Sequence, residues 1–200
     1  MGIDSTIETF RQHINSKNGL FMPQRFHVKI TKPHGASIAR HKEIHSATVD
    51  DLLFSCASAS IPGRTLSTNS VLAPGPEQKY PYQDTFADLE CTFHCTNNSK
   101  NKPATGYFFG LPEKRFFDAW MASVCDTHTM VMNYSEEYSR EITIVVYDGG
   151  NNQLGSYLFL RCYPIAVGEI ELSQQSEEPA TFPVTFSYDK WKYKDSLKNV

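Results

Sequence analysis

The sequence predicts a mainly β fold: an antiparallel barrel or sandwich with one principal α-helix packed at its side and long loops between the strands. Three observations carry this. Residues from Thr181 to Tyr188 alternate, with Phe182, Val184, Phe186 and Tyr188 on one side and Thr181, Pro183, Thr185 and Ser187 on the other. Residues from Thr85 to Thr96 do the same, setting Leu89, Cys91, Phe93 and Cys95 against Asp88, Glu90, Thr92 and His94. Between these stretches, Pro112 to Asp126 places Phe116, Phe117, Trp120, Met121 and Val124 at helical spacing, with Pro112 suited to the first helical position. The core expected from these stripes is Leu89, Phe93, Phe116, Trp120, Val184 and Phe186.

The remaining elements follow in order. Ile3, Ile7, Phe10 and Ile14 mark a short amphipathic helix ended by Asn18-Gly19. Phe26 to Ile30 alternates as a first strand. Residues 32–50 are polar and include His34, His41 and His45, which reads as an exposed loop. Leu52 to Ala59 is expected as a second strand, stopped by Ile61-Pro62-Gly63. Residues 60–82 hold Pro62, Pro74, Pro76 and Pro81 with Gly63 and Gly75, which predicts irregular or extended chain of a kind that forms interfaces. Asn97 to Gly106 is a turn-rich loop. Glu141 to Tyr147 and Gln153 to Arg161 make a hairpin around Asp148-Gly149-Gly150-Asn151-Asn152. A bend at Pro164 precedes the polar spacer. Lys190 to Val200 reads as a polar tail. The expected division is an N-terminal arm at 1–19, a β domain at 20–191 and a C-terminal tail at 192–200.

Composition narrows the function. Two hundred residues suit one domain with a real core. The net charge is −3 and no basic run occurs, which argues against binding nucleic acid by phosphate neutralisation. No apolar run has transmembrane length, and Met1 to Arg11 lacks the apolar stretch of a signal peptide, so a cytoplasmic origin without membrane insertion is expected. The five cysteines, at 56, 91, 95, 125 and 162, are expected to be buried thiols.

No catalytic chemistry stands out. Cys91, His94, Cys95, Cys125 and His128 form two short Cys/His pairs, but strand geometry turns His94 away from Cys91 and Cys95, and the spacing lacks a zinc-knuckle pattern. Cys125 with His128 lacks a third, orienting group. The Asp148 turn lacks the later ligands of a calcium loop. No phosphate loop or dinucleotide fingerprint is present. The expectation is a non-enzymatic protein with no metal and no cofactor.

The ordered set of segments resembles a known family. Arg25 to Ile30 is followed by Phe54-Ser55-Cys56-Ala57-Ser58-Ala59-Ser60-Ile61-Pro62-Gly63, then Phe86 to Phe93, then Arg115-Phe116-Phe117-Asp118-Ala119-Trp120. The close is Tyr163-Pro164-Ile165-Ala166-Val167-Gly168-Glu169-Ile170, then Phe182 to Trp191. Over roughly residues 20–191 this is similar to the tail tube proteins of contractile-tailed bacteriophages and the inner tubes of contractile injection systems. The long loop at 32–50 and the extended segment at 64–84 depart from the pattern.

The resemblance implies a structural subunit of the virion tail, assembled in the host bacterial cytoplasm. Its rings would be hexameric and stacked head to tail inside a contractile sheath. Its partners would be itself, the sheath protein, and baseplate and tail-terminator proteins. Double-stranded DNA would pass through the lumen without specific binding. Alternatives are a baseplate tube initiator, an inner tube of a non-DNA injection system and, further off, a soluble β-barrel ligand binder. A conduit for DNA favours an acidic or neutral bore, because a basic one would add friction. Asp88, Glu90, Glu141, Glu169 and Glu171 are therefore candidates for the lumen. His41, His45, Pro62, Gly63, Pro74 and Pro76 are candidates for contacts between subunits or rings. Cys162, beside the bend, is a candidate for an inter-subunit disulfide.

Overall fold

The computed structural model describes residues 7–16, 20–32, 52–71, 77–96, 111–126, 129–175 and 177–195. Its elements are helix α1 (Ile7–Ser16), strands β1 (Phe26–Ile30), β2 (Cys56–Ser60), β3 (Arg64–Val71), β4 (Gln78–Phe86) and β5 (Leu89–His94), helices α2 (Pro112–Val124) and α3 (Ser135–Tyr138), and strands β6 (Arg140–Tyr147), β7 (Gln153–Val167), β8 (Thr181–Ser187) and β9 (Lys190–Asp195). Every strand pairing is antiparallel.

One strand organises the sheet. The first part of β7 pairs with β6 on one side and β9 on the other; its last residues pair with β8. The change of partner follows a bulge at Arg161, whose φ of 56° lies in the left-handed region, and a second register shift between Pro164 and Ala166. Such insertions bend a strand and sharpen its twist. The order β1-β6-β7-β8-β5-β2 therefore folds into two layers: β1-β6-β7-β9, and the end of β7 with β8-β5-β2.

The two layers and α2 share one core. Val28 and Ile30 of β1, Ile142 and Ile144 of β6 and Phe159 of β7 come from the first layer; Leu89, Phe93, Phe182, Val184 and Phe186 come from the second. Helix α2 adds Phe116, Phe117 and Trp120, all fully buried. Phe117 meets Phe93, Phe182 and Phe186 at ring-centre distances of 4.8, 6.0 and 5.9 Å, within the range at which aromatic pairs attract beyond simple area burial. All six residues expected in the core lie there.

The chain departs from its sequence pattern in four places. Residues 52–55 are helical, and the strand starts only at Cys56; Leu52 goes into the core from that turn. The Thr85–Thr96 stretch is two strands, broken at Ala87 and Asp88, where the backbone N–H of Ala87 donates to Gly63. Arg64–Val71 and Gln78–Phe86, expected as irregular chain, pair with each other as a two-stranded ribbon outside the main sheet. The expected tail begins with a sheet strand, β9, whose Trp191 packs against the core. The reason is common to the ribbon and β9: backbone pairing, not a buried apolar stripe, specifies them.

Candidate functional site

The surfaces available for assembly are set by what the subunit leaves unpaired. Among the described residues, β1 and β9 are the outer strands of the first layer. Open edges carry unsatisfied N–H and C=O groups, a liability that a protein covers, blunts or pairs with another chain.

The β3–β4 ribbon is exposed over nearly its whole length. Every residue of β4 from Gln78 to Thr85 is exposed, as are Leu66, Tyr80 and Tyr82 among its large side chains. Its base is pinned to the body. The Arg64 guanidinium pairs with both oxygens of Asp84, at 2.8 and 3.0 Å from Nε, and lies 5.9 Å from the Phe86 ring centre. Phe86 meets Tyr188, whose hydroxyl donates to the Ala87 carbonyl at 2.7 Å. Asp84 holds the Arg64 pKa above its ordinary value. A two-stranded ribbon standing free is marginally stable on its own, so an arm this exposed points to a partner surface.

Of the contact candidates, Gly63 is exposed at the root of this arm. Pro62 is buried inside its own subunit, so it anchors the arm and leaves no surface for a neighbour, a correction to its expected role. His41, His45, Pro74 and Pro76 lie outside the described residues. Sequence reasoning missed other exposed apolar side chains: Ile7 and Phe10 on α1, Leu20, Phe21 and Met22 after it, and Met130, Val131, Met132 and Tyr134 before α3. Exposed apolar surface, where it gathers into a patch, marks interaction sites.

The five acidic candidates are all exposed but do not share one face. Asp88 lies in the link before β5, and Glu90 is on the outer face of the second layer beside Thr185. Glu141 is on the outer face of the first layer. Glu169 and Glu171 belong to the loop after β7, where they line a groove of about 770 Å³ with Glu178. Gly168 opens that loop, and a Cβ there would meet Pro183 Cγ at 2.5 Å, a close approach that only glycine allows.

The first layer's outer face instead collects lysines. Cross-strand pairing lines up Lys29, Thr143, Leu158 and Lys192 in one row, and sets Lys190 opposite Leu160 and Lys194 opposite Ser156. No basic run marks this in the sequence; the two-residue period of Lys190-Trp191-Lys192-Tyr193-Lys194 is the signal that could have found it.

The cysteines are free thiols. Cys162 is fully buried, and burial pushes its pKa up to about 12. It therefore has no surface for a disulfide between subunits, which corrects the expectation placed on it. Cys91 is buried on the core face, with its pKa raised most by a hydrogen bond with Cys56, while His94 is on the other face. No cluster of three or more metal-ligating side chains occurs among the described residues, and His128 lies outside them.

Two buried polar residues hold the frame, and neither was legible as a site. The Glu113 carboxylate, in the first turn of α2, accepts from the Thr96 backbone N–H at 3.1 Å, from the Thr96 hydroxyl, and from Ser55 at 3.4 Å. An acid at a helix N-terminus also complements the helix dipole. The Arg140 guanidinium donates to the carbonyls of Glu136, Glu137 and Ser139, closing the end of α3.

A bent antiparallel double layer whose outer strands and β3–β4 arm stand exposed offers surfaces for association. The sequence pattern of the phage tail tube protein family matches residues 21–194, and the chain belongs to that family. Its fold is shared with solved contractile injection system proteins. A chain of the anti-feeding prophage cap (AFP tube terminating cap) is 15% identical, with a TM-score of 0.57 over 88% of this chain and 92% of that one. A chain of the PVC sheath/tube terminator of an extracellular contractile injection system is 14% identical, with a TM-score of 0.57 over 88% and 96%. A chain of the PVC sheath-tube complex in its extended state is 14% identical, with a TM-score of 0.53 over 88% and 92%. No curated protein sequence matches the chain.

Proposed function

We propose that this chain is the repeating, non-enzymatic tube subunit of a contractile phage tail, assembled in the bacterial cytoplasm into the virion. Six copies close a ring, and rings stack head to tail into a conduit inside a sheath for double-stranded DNA. The exposed β3–β4 arm carries this reading: a ribbon exposed over nearly its whole length and pinned at its base is best explained by a neighbour that covers it. Strands β1 and β9, outermost in the first layer among the described residues, support it, since pairing between neighbours would remove both edges. Gly63 contributes to the neighbour contact at the root of the arm. Asp88, Glu90, Glu141, Glu169 and Glu171 remain lumen candidates, each tied to whichever layer faces the bore.

A second reading keeps the fold and changes the place. The likeness to chains of a tube-terminating cap and a sheath/tube terminator favours an end-of-tube protein, or a tube of an injection system that carries no DNA. Negative-stain micrographs of the purified chain, alone and with tail extract as nucleator, separate these. Long hollow tubes are expected. Rings that never lengthen would favour the end-of-tube reading, and monomers under both conditions would sink the proposal.

A further inference from the structure

The subunit is electrically polar along its longest strand. The start of β7 is flanked by β9, with Lys194 opposite Ser156, Lys192 opposite Leu158 and Lys190 opposite Leu160. These three lysines stand on one face, because alternate residues of a strand point the same way. The other end of β7 leads through Gly168 into the groove walled by Glu169, Glu171 and Glu178. Among the described residues, no cationic side chain lines that groove. Ser156, opposite Lys194, and Val167 are separated by roughly 35 Å of strand contour at about 3.3 Å per residue, and Lys190, opposite Leu160, sits about midway. Ion pairs join Arg64 to Asp84, Lys114 to Asp118 and Arg161 to Asp189. Lys190, Lys192, Lys194, Glu169 and Glu171 are in none of them.

We infer that the lysine face of β9 seats against the Glu169–Glu178 groove of a second copy of this chain. The inference rests on the tube reading and names the surfaces that join successive copies. The occupant is set by charge complementarity: the groove's described lining carries three carboxylates and no cation, and on the lysine face three ammonium groups outnumber Glu141, which shares that outer face beside Lys190. Two different patches on one molecule make a heterologous contact, which propagates in one direction unless geometry closes it. Like charges would repel if either patch met its own copy. The solvent-facing ends of Lys190, Lys192 and Lys194 also keep β9 from pairing at random, so the same residues blunt the wrong contact and favour the right one.

The test is a charge swap in the full-length chain. One variant carries Lys190→Glu, Lys192→Glu and Lys194→Glu; the other carries Glu169→Lys, Glu171→Lys and Glu178→Lys. Each alone should keep the wild-type circular dichroism spectrum and lose association by about tenfold or more, read by sedimentation velocity across low to high salt. Mixing the two should restore association, because each supplies the patch that the other now complements. Wild-type growth should weaken as salt rises. Variants that form tubes with wild-type salt dependence overturn the contact and leave the tube reading standing. A wild-type chain that forms no assembly at any salt, even with tail extract as nucleator, overturns both. A lysine variant that assembles normally but loses retention on double-stranded DNA assigns the stripe to a polyanion and overturns the contact. A closed two-fold dimer of the wild type also overturns it.

Discussion

Trp120 is where the helix meets both the sheet and the α3 turn. Its ring lies 5.9 Å from those of Phe116 and Phe186, and its indole N–H donates to the Tyr138 carbonyl at 2.8 Å. Trp120→Ala removes the ring and leaves that carbonyl short of a donor, so it should cost roughly 3–5 kcal/mol. Chemical denaturation checks this, and wild-type melting would refute it. Glu113→Ala strips the acceptor from the Thr96 N–H and hydroxyl, and should cost about 1–3 kcal/mol; an unchanged denaturation midpoint would show that water satisfies those groups instead. Cys162 gives a pH test. Its thiol titrates near 9.0 when unfolded and about 12 when folded. The folded state then holds the proton longer than the unfolded one. Its contribution is intact below about 9 and is lost as pH rises from there towards 12. A Cys162-only variant should resist thiol reagents at about pH 8 until denaturant is added; prompt labelling of the native protein would contradict the burial.

The elements divide by what specifies them. Strands β5 and β8 and helix α2 each bury one face, and burying one face writes a period into the sequence. Phe182, Val184 and Phe186 announce β8 by alternation, and Phe116, Phe117 and Trp120 announce α2 by helical spacing. The β3–β4 arm buries almost nothing, so Leu66, Tyr80 and Tyr82 stand among polar residues without a period. Its prolines read as a loop, although Pro81 sits within β4, next to a register shift in the ribbon. The arm's worth should therefore lie in assembly. Leu66→Ala with Tyr82→Ala should change subunit stability by no more than about 0.5 kcal/mol, yet abolish tubes in micrographs. Normal tubes from that variant would remove the arm from the interface.

Across the molecule, β7 decides the architecture, and its role lies in pairings that no local pattern encodes. The residues from Gln153 to Val167 read as a hairpin return followed by a bend at Pro164. The structure makes them one strand that serves two layers and separates a lysine face from an acidic groove. The assembly sites are legible only in part for the same reason. Gly63 and the acidic positions are visible as residue types, but which face each occupies depends on register, and register joins residues far apart in the chain. Glu141 and Glu90 look alike in the sequence and stand on different layers in the fold.

The amino-acid order alone settled the β class, the helix and the apolar core from Leu89 to Phe186, because one-sided burial imprints its period on local sequence. Only the tertiary structure decided that Lys190 begins a strand, that Arg64 to Phe86 forms an arm, and that Pro62 and Cys162 are sealed inside. Those outcomes turn on long-range backbone pairing. The hydrogen bonds that specify it come from groups every residue carries, so they leave no mark on side-chain identity.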